Sequence, residues 1–136
     1  MIDKEVIKIA SNTENHGVLD NYTHFSKLKN PICGDVMKVF LIVENNCIAK
    51  FKYECESCIY CQASVSLLSR KAKSKSIEKV KNFAEQAKNY FDKSSKSRDK
   101  EWKEFDMMLT ENNISRKECL LLPLNTTLDA LNKKSL

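Results

Sequence analysis

The chain has 136 residues, 42% of them hydrophobic and 30% charged with both signs mixed. That composition predicts one folded domain over 1–136 and excludes a disordered, collagen-like or low-complexity chain. No apolar run approaches the ~18 residues of a membrane span, and the acids within the opening MIDKEVIKIA argue against a secretory signal. The net charge of +5 is uneven, because residues 70–103 carry 12 basic and 5 acidic side chains. Such a run reads as a solvated face, so neither a membrane nor a nucleic-acid partner is expected. Six cysteines without an export signal are expected to be thiols of a reducing, cytoplasmic compartment.

In chain order, residues 3–10 read as a short helix carrying Val6, Ile7 and Ile9. Residues 11–32 are polar and Asn-rich and read as a long ordered loop, a length that is often functional. Residues 35–43 (DVMKVFLIV) are β-branched and apolar, Glu44-Asn45-Asn46 is a turn signal, and 47–54 (CIAKFKYE) alternates, which predicts a β-hairpin. The period then changes to that of helices over 59–72, 76–92 and 99–111, with a break at Ser94–Ser97. Residues 114–122 lead to Pro123, after which Thr126 or Thr127 is placed to cap a last helix through Leu131. Strands first and helices after is an α+β order.

The thiols carry the chemistry. Cys33 sits in Asn30-Pro31-Ile32-Cys33-Gly34-Asp35, where Pro31 fixes one φ and Gly34 permits another that side chains resist. Such a loop can hold a thiol and a carboxylate, Cys33 and Asp35, toward one point. Cys58 falls at a strand-to-helix junction, where free N–H groups and the helix dipole favour a thiolate. Cys119 follows Arg116 by three residues, so a cation stands near it. Three thiolates and one carboxylate suit tetrahedral Zn2+ or an iron–sulfur cluster. A carboxylate among thiolates is a hard ligand in a soft set, which favours exchange over permanent storage.

These residues carry a resemblance. Asn30-Pro-x-Cys33-Gly-Asp35 resembles the NP-x-CGD signature of the NifU-N/IscU/SufU family of iron–sulfur cluster assembly proteins. Cys58 followed by Ala63-Ser64-Val65-Ser66, then Arg116-x-x-Cys119-x-x-Leu122-Pro123 with Ala130-Leu131, are similar to that family's later motifs. Asn12, Asn15, Gly17 and Leu19 resemble its N-terminal stretch. The cysteine spacings resemble the SufU-type branch, with a helical insert near 92–106. The resemblance implies a small antiparallel β-sheet packed on one side by helices, with the cysteines meeting at an exposed tip. It implies that Cys33, Asp35, Cys58 and Cys119 are the ligands, of Zn2+ or of a transient [2Fe–2S] cluster. It also implies that Cys33 or Cys119 accepts persulfide sulfur from a pyridoxal-phosphate cysteine desulfurase, with Arg116 in support. Downstream partners would be iron–sulfur acceptor proteins.

The sequence also departs from the family pattern. Ser57 and Ser74 stand where the family has Gly, Thr13-Glu14 where it has Pro-Arg, and Glu118 where IscU-type members carry a His ligand. Cys55 and Cys61 are extra, making Cys55-x-x-Cys58-x-x-Cys61. With a distant Cys, that run allows a second reading, a permanent cluster in an electron carrier. A third is a structural zinc module that binds a partner. Cys47 reads as a core strand residue, and His16 and His24 as loop residues without a ligand role.

Overall fold

The computed structural model describes residues 4–91 and 100–133. Helix α1 (Lys4–Ala10) buries Val6 and Ala10. Strands β1 (His24–Lys29), β2 (Val36–Glu44) and β3 (Cys47–Glu56) follow, then helices α2 (Ile59–Ala72), α3 (Ile77–Ala87) and α4 (Lys117–Asn132). Short 3-10 helices cover Lys88–Phe91, Lys100–Met107 and Glu111–Arg116. The three strands form one antiparallel sheet in the order β1-β2-β3, so the fold is α+β.

The β2–β3 hairpin turns on Asn45 and Asn46, both at positive φ (52° and 64°). A two-residue hairpin turn of this hand needs positive φ at both positions, and asparagine tolerates it. Alternation then sorts the side chains. Met37, Val39 and Leu41 of β2, with Phe51 and Tyr53 of β3, enter the main core beneath α2 and α4. Phe40 and Ile42 face the other way and are covered by Leu19, Tyr22 and Phe25 in a smaller apolar cluster. The helices therefore lie on one side of the sheet, and the chain before and within β1 covers part of the other.

Helix α2 is buried on most of its circumference, and its serines tie it to its neighbours. Ser64 Oγ donates to the Leu120 carbonyl of α4 at 2.7 Å. Ser66 Oγ lies 3.0 and 2.7 Å from the Ile9 and Asn12 carbonyls, and Asn15 Nδ2 donates to Ser69 Oγ at 3.0 Å. The Ala63-Ser64-Val65-Ser66 run thus places hydroxyls where a helix packed on all sides must join α4 and the N-terminal segment.

Three elements differ from the sequence expectation. The polar stretch 11–32 contains β1, whose ladder comes from β2, and its residues Asn15 and Gly17 exchange backbone hydrogen bonds with Tyr53 on the open edge of β3. Of the helix expected over 99–111, Lys100–Met107 is 3-10; it stacks Trp102 on Phe83 with ring centres 4.2 Å apart. Pro123 does not end a segment: it lies inside α4, which starts at Lys117. Thr126 and Thr127 do not cap there but return their hydroxyls to the Leu122 and Pro123 carbonyls. Ser76 does cap α3, its Oγ accepting from the Lys79 amide, and that helix gives way to 3-10 geometry after Ala87. The expected break at Ser94–Ser97 and the first part of the 92–106 insert lie outside the described residues.

Candidate metal centre

The loop between β1 and β2 is closed by its own first and last residues. Buried Asn30 receives the Gly34 amide on its carbonyl and the Ile32 amide on its side-chain oxygen. Its own amide donates to the Asp35 carbonyl at 2.8 Å. Gly34 sits at φ +77°, a left-handed conformation that lets the chain reverse between Cys33 and Asp35. The outcome is an exposed Cys33 next to a carboxyl that is only 8% exposed. Asn30 is the organising residue of this loop; its place at the head of the motif was the signal available in the sequence.

Cys58 is the N-cap residue of α2, and its amide donates to Asp35 Oδ2 at 3.3 Å. Cys119, 6% exposed, lies in the first turn of α4. One ligand atom from each of Cys33, Asp35 and Cys119 lies within 4.8 Å of the others, and the two sulfurs are 3.7 Å apart. Metal–thiolate bonds of about 2.3 Å place two sulfurs of a tetrahedron about 3.8 Å apart, so this pair already has the spacing of two ligands on one ion. Cys58 stands beside the three rather than among them: its amide holds the carboxylate, and its thiol is one of the groups that raise Cys119.

Burial pushes the Cys119 thiol well above its usual value, and the neighbouring Cys58 and Cys33 thiols push it the same way. Thiolates this close repel one another, so in the absence of a cation Cys119 keeps its proton. A bound cation reverses that balance. The two thiols and one carboxyl gathered here are donors suited to a thiophilic divalent metal.

Arg116 ends the 3-10 helix Glu111–Arg116, and its guanidinium lies over the Tyr60 ring at 5.3 Å from the ring centre. This cation–π contact joins the first turn of α2 to the start of α4; Tyr60 gave no sign of that role in the sequence. The extra thiols do not join the group. Among the described residues, the one cluster of three ligand atoms is that of Cys33, Asp35 and Cys119. Burial raises the Cys61 and Cys55 thiols, and both lie near the Ser57 hydroxyl, which is itself buried without a nitrogen or oxygen partner. Cys55-x-x-Cys58-x-x-Cys61 therefore does not assemble a three-thiol site here. Cys47 is half-buried at the start of β3 rather than in the core. His16 rests edge-on against Tyr53, and His24 opens β1 beside the Thr23 hydroxyl.

The NifU-like N terminal domain matches residues 1–101, a span that includes Cys33, Asp35 and Cys58. The chain is 26% identical over 136 residues, covering 99% of its length and 95% of the relative's, to a Thermotoga maritima protein named iron-sulfur cluster assembly scaffold protein IscU. It is 29% identical over 80 residues to the corresponding IscU 1 of Archaeoglobus fulgidus, 59% of this chain and 52% of that one. Among solved structures, an N-terminal NifU-like protein of Brucella abortus superposes with a TM-score of 0.83 at 18% identity, covering 95% of this chain and 90% of that one. A putative scaffold for the SUF system from Fervidobacterium islandicum gives 0.82 at 22% identity, covering 96% of both. With the sequence match over most of its length and the fold agreeing throughout, the chain belongs to the NifU-like N-terminal domain family.

Proposed function

We propose that this protein is an iron–sulfur cluster assembly factor that receives sulfur at a metal site made by Cys33, Asp35, Cys58 and Cys119. The observation that carries the reading is the meeting of Cys33, Asp35 and Cys119 within 4.8 Å, with Cys58 adjoining. The kinship with proteins named as scaffolds supports it. Glu118 stands before Cys119, where IscU-type members carry a His ligand, which favours Zn2+ and a SufU-type role. A [2Fe–2S] cluster assembled there would be cargo. We read 1–136 as one working unit.

A zinc ion in this site would keep thiols deprotonated at neutral pH. The protein's own residues supply the rest. Cys33 is the exposed thiol and Cys119 the buried one, which favours Cys33 as the first acceptor. Its thiolate attacks the terminal sulfur of a donor persulfide; a new S–S bond forms, the donor S–S bond breaks, and the donor cysteine leaves as thiolate. Asp35, its carboxylate accepting from the Cys58 amide, would be the hard, exchangeable donor of such a set. Arg116, held beside the site by Tyr60, offsets the negative charge of the incoming persulfide. The donor is a pyridoxal-phosphate cysteine desulfurase, and iron–sulfur acceptor proteins lie downstream.

The test is persulfide transfer from such a desulfurase, read by mass on the intact chain. Cys33→Ser should abolish uptake while Cys61→Ser leaves it intact. If Cys33→Ser and Cys119→Ser both still take up sulfur, the mechanism is wrong.

A further inference from the structure

A second charged site lies on the sheet face turned away from α2 and α4. Register sets Lys27 opposite Lys38, and Lys38 opposite Glu54, in one row across the three strands. The next row brings Lys29, Val36 and Glu56 together. A cleft of about 330 Å³ opens over these rows, lined by Lys27, Lys38, Glu54 and Glu56 around Val36, with His16 and Cys55 beside them.

Two features separate this cleft from an ordinary solvated sheet face. Lys27 and Lys38 are like charges directly across a strand pair, an arrangement that destabilises a sheet. Lys38 and Glu54 are opposite charges in register and both half-buried, yet they make no ion pair. Among the described residues none of the four side chains has a hydrogen-bond or ion-pair partner. Lys27 and Glu56 are exposed and Lys38 and Glu54 half-buried, so the cleft presents two cations on the β1–β2 side and two anions on β3.

We propose that this cleft binds a zwitterionic α-amino acid, its carboxylate between Lys27 and Lys38 and its ammonium against Glu54 and Glu56. An α-amino acid carries both charges on one carbon, so they span no more than one strand spacing, about 4.8 Å. A simple anion would meet the two glutamates, and a simple cation the two lysines. Val36 is an apolar floor for a small side chain. Val36 follows Asp35, and Glu56 precedes Ser57-Cys58, so the occupant would border the thiol site without entering it.

The experiment is an amide NMR titration of the full chain with L-alanine, set against N-acetyl-L-alanine and L-alanine methyl ester. Saturable shifts at 27, 38, 54 and 56 are expected, with each blocked compound about fivefold weaker or worse. Lys38→Gln and Glu54→Gln should each weaken L-alanine to a similar degree with the rest of the spectrum unchanged. Absence of saturable shifts overturns the proposal. So do shifts confined to Cys33, Cys58 and Cys119, which would mark binding at the thiol site. Equal binding of N-acetyl-L-alanine overturns it too, marking an anion site only.

Discussion

Cys33 and Cys119 stand 86 residues apart in the chain, and their sulfurs meet at 3.7 Å. The first is held by a loop closed on Asn30, the second by the first turn of α4. Nothing local joins the two. Their meeting depends on α2, which starts at Cys58 and holds α4 through the Ser64–Leu120 hydrogen bond.

That bond is buried at 2.7 Å, so Ser64→Ala leaves the Leu120 carbonyl without the hydroxyl. We expect a loss of about 1–2 kcal/mol in urea unfolding. Metal retention should fall with it, because the start of α4 carries Cys119. Unchanged retention in a destabilised variant would separate the site from this tie.

Metal uptake should depend on pH in a fixed direction. Burial and the neighbouring thiols hold the proton on Cys119, so binding must displace it throughout the neutral range. Zinc affinity is expected to rise with pH, by about tenfold per unit for each proton released. Competition with a chelator between pH 6 and about 8 reads it directly, and proton release on binding gives the count.

The acid limb of stability belongs in part to Asp129. The Ser26 hydroxyl bonds to its carboxylate, with Lys133 adding, and this holds Asp129 below the usual carboxylate range. A lowered carboxyl stabilises the fold above its unfolded value, near 3.8, and that contribution fades as pH falls through the folded value. Ser26→Ala is expected to lower stability by about 1 kcal/mol at neutral pH, with the gap to the parent closing below pH ~4.

How far the sequence revealed the fold can be argued from single residues. Asn45-Asn46 marked the hairpin because positive φ is a local demand that asparagine meets. Strand β1 was not legible: His24–Lys29 interleaves lysines with Ser26 and Leu28, and its partner is what makes it a strand. Pro123 reads as a stop in isolation, yet the burial of Leu120, Leu121, Leu122 and Leu124 carries α4 past it. Packing likewise decides Lys100–Met107, where Trp102 stacks on Phe83. At the site, Cys33 and Asp35 were legible from the turn that Gly34 allows, and their meeting with Cys119 is geometry. The tie from Tyr60 to Arg116 was invisible, since an aromatic in a buried helix usually signals only a core.

Ser74 tests the same logic in reverse. It holds φ 70° at the end of α2, the hand that glycine adopts without strain, while its amide bonds to the Ile48 carbonyl. Ser74→Gly keeps that bond and should stabilise the protein by about 1 kcal/mol, read as a shift in the urea midpoint.

The most direct measurement is the metal and acid-labile sulfide content of protein purified without oxygen or chelator, compared across single Cys→Ser variants. The account expects about one zinc per chain without sulfide, or iron with matching sulfide as cargo. It expects that metal to be lost in Cys33→Ser, Cys58→Ser and Cys119→Ser and kept in Cys61→Ser. Metal retained by Cys33→Ser and Cys119→Ser but lost from Cys55→Ser and Cys61→Ser would place the centre on the other thiols and contradict the account.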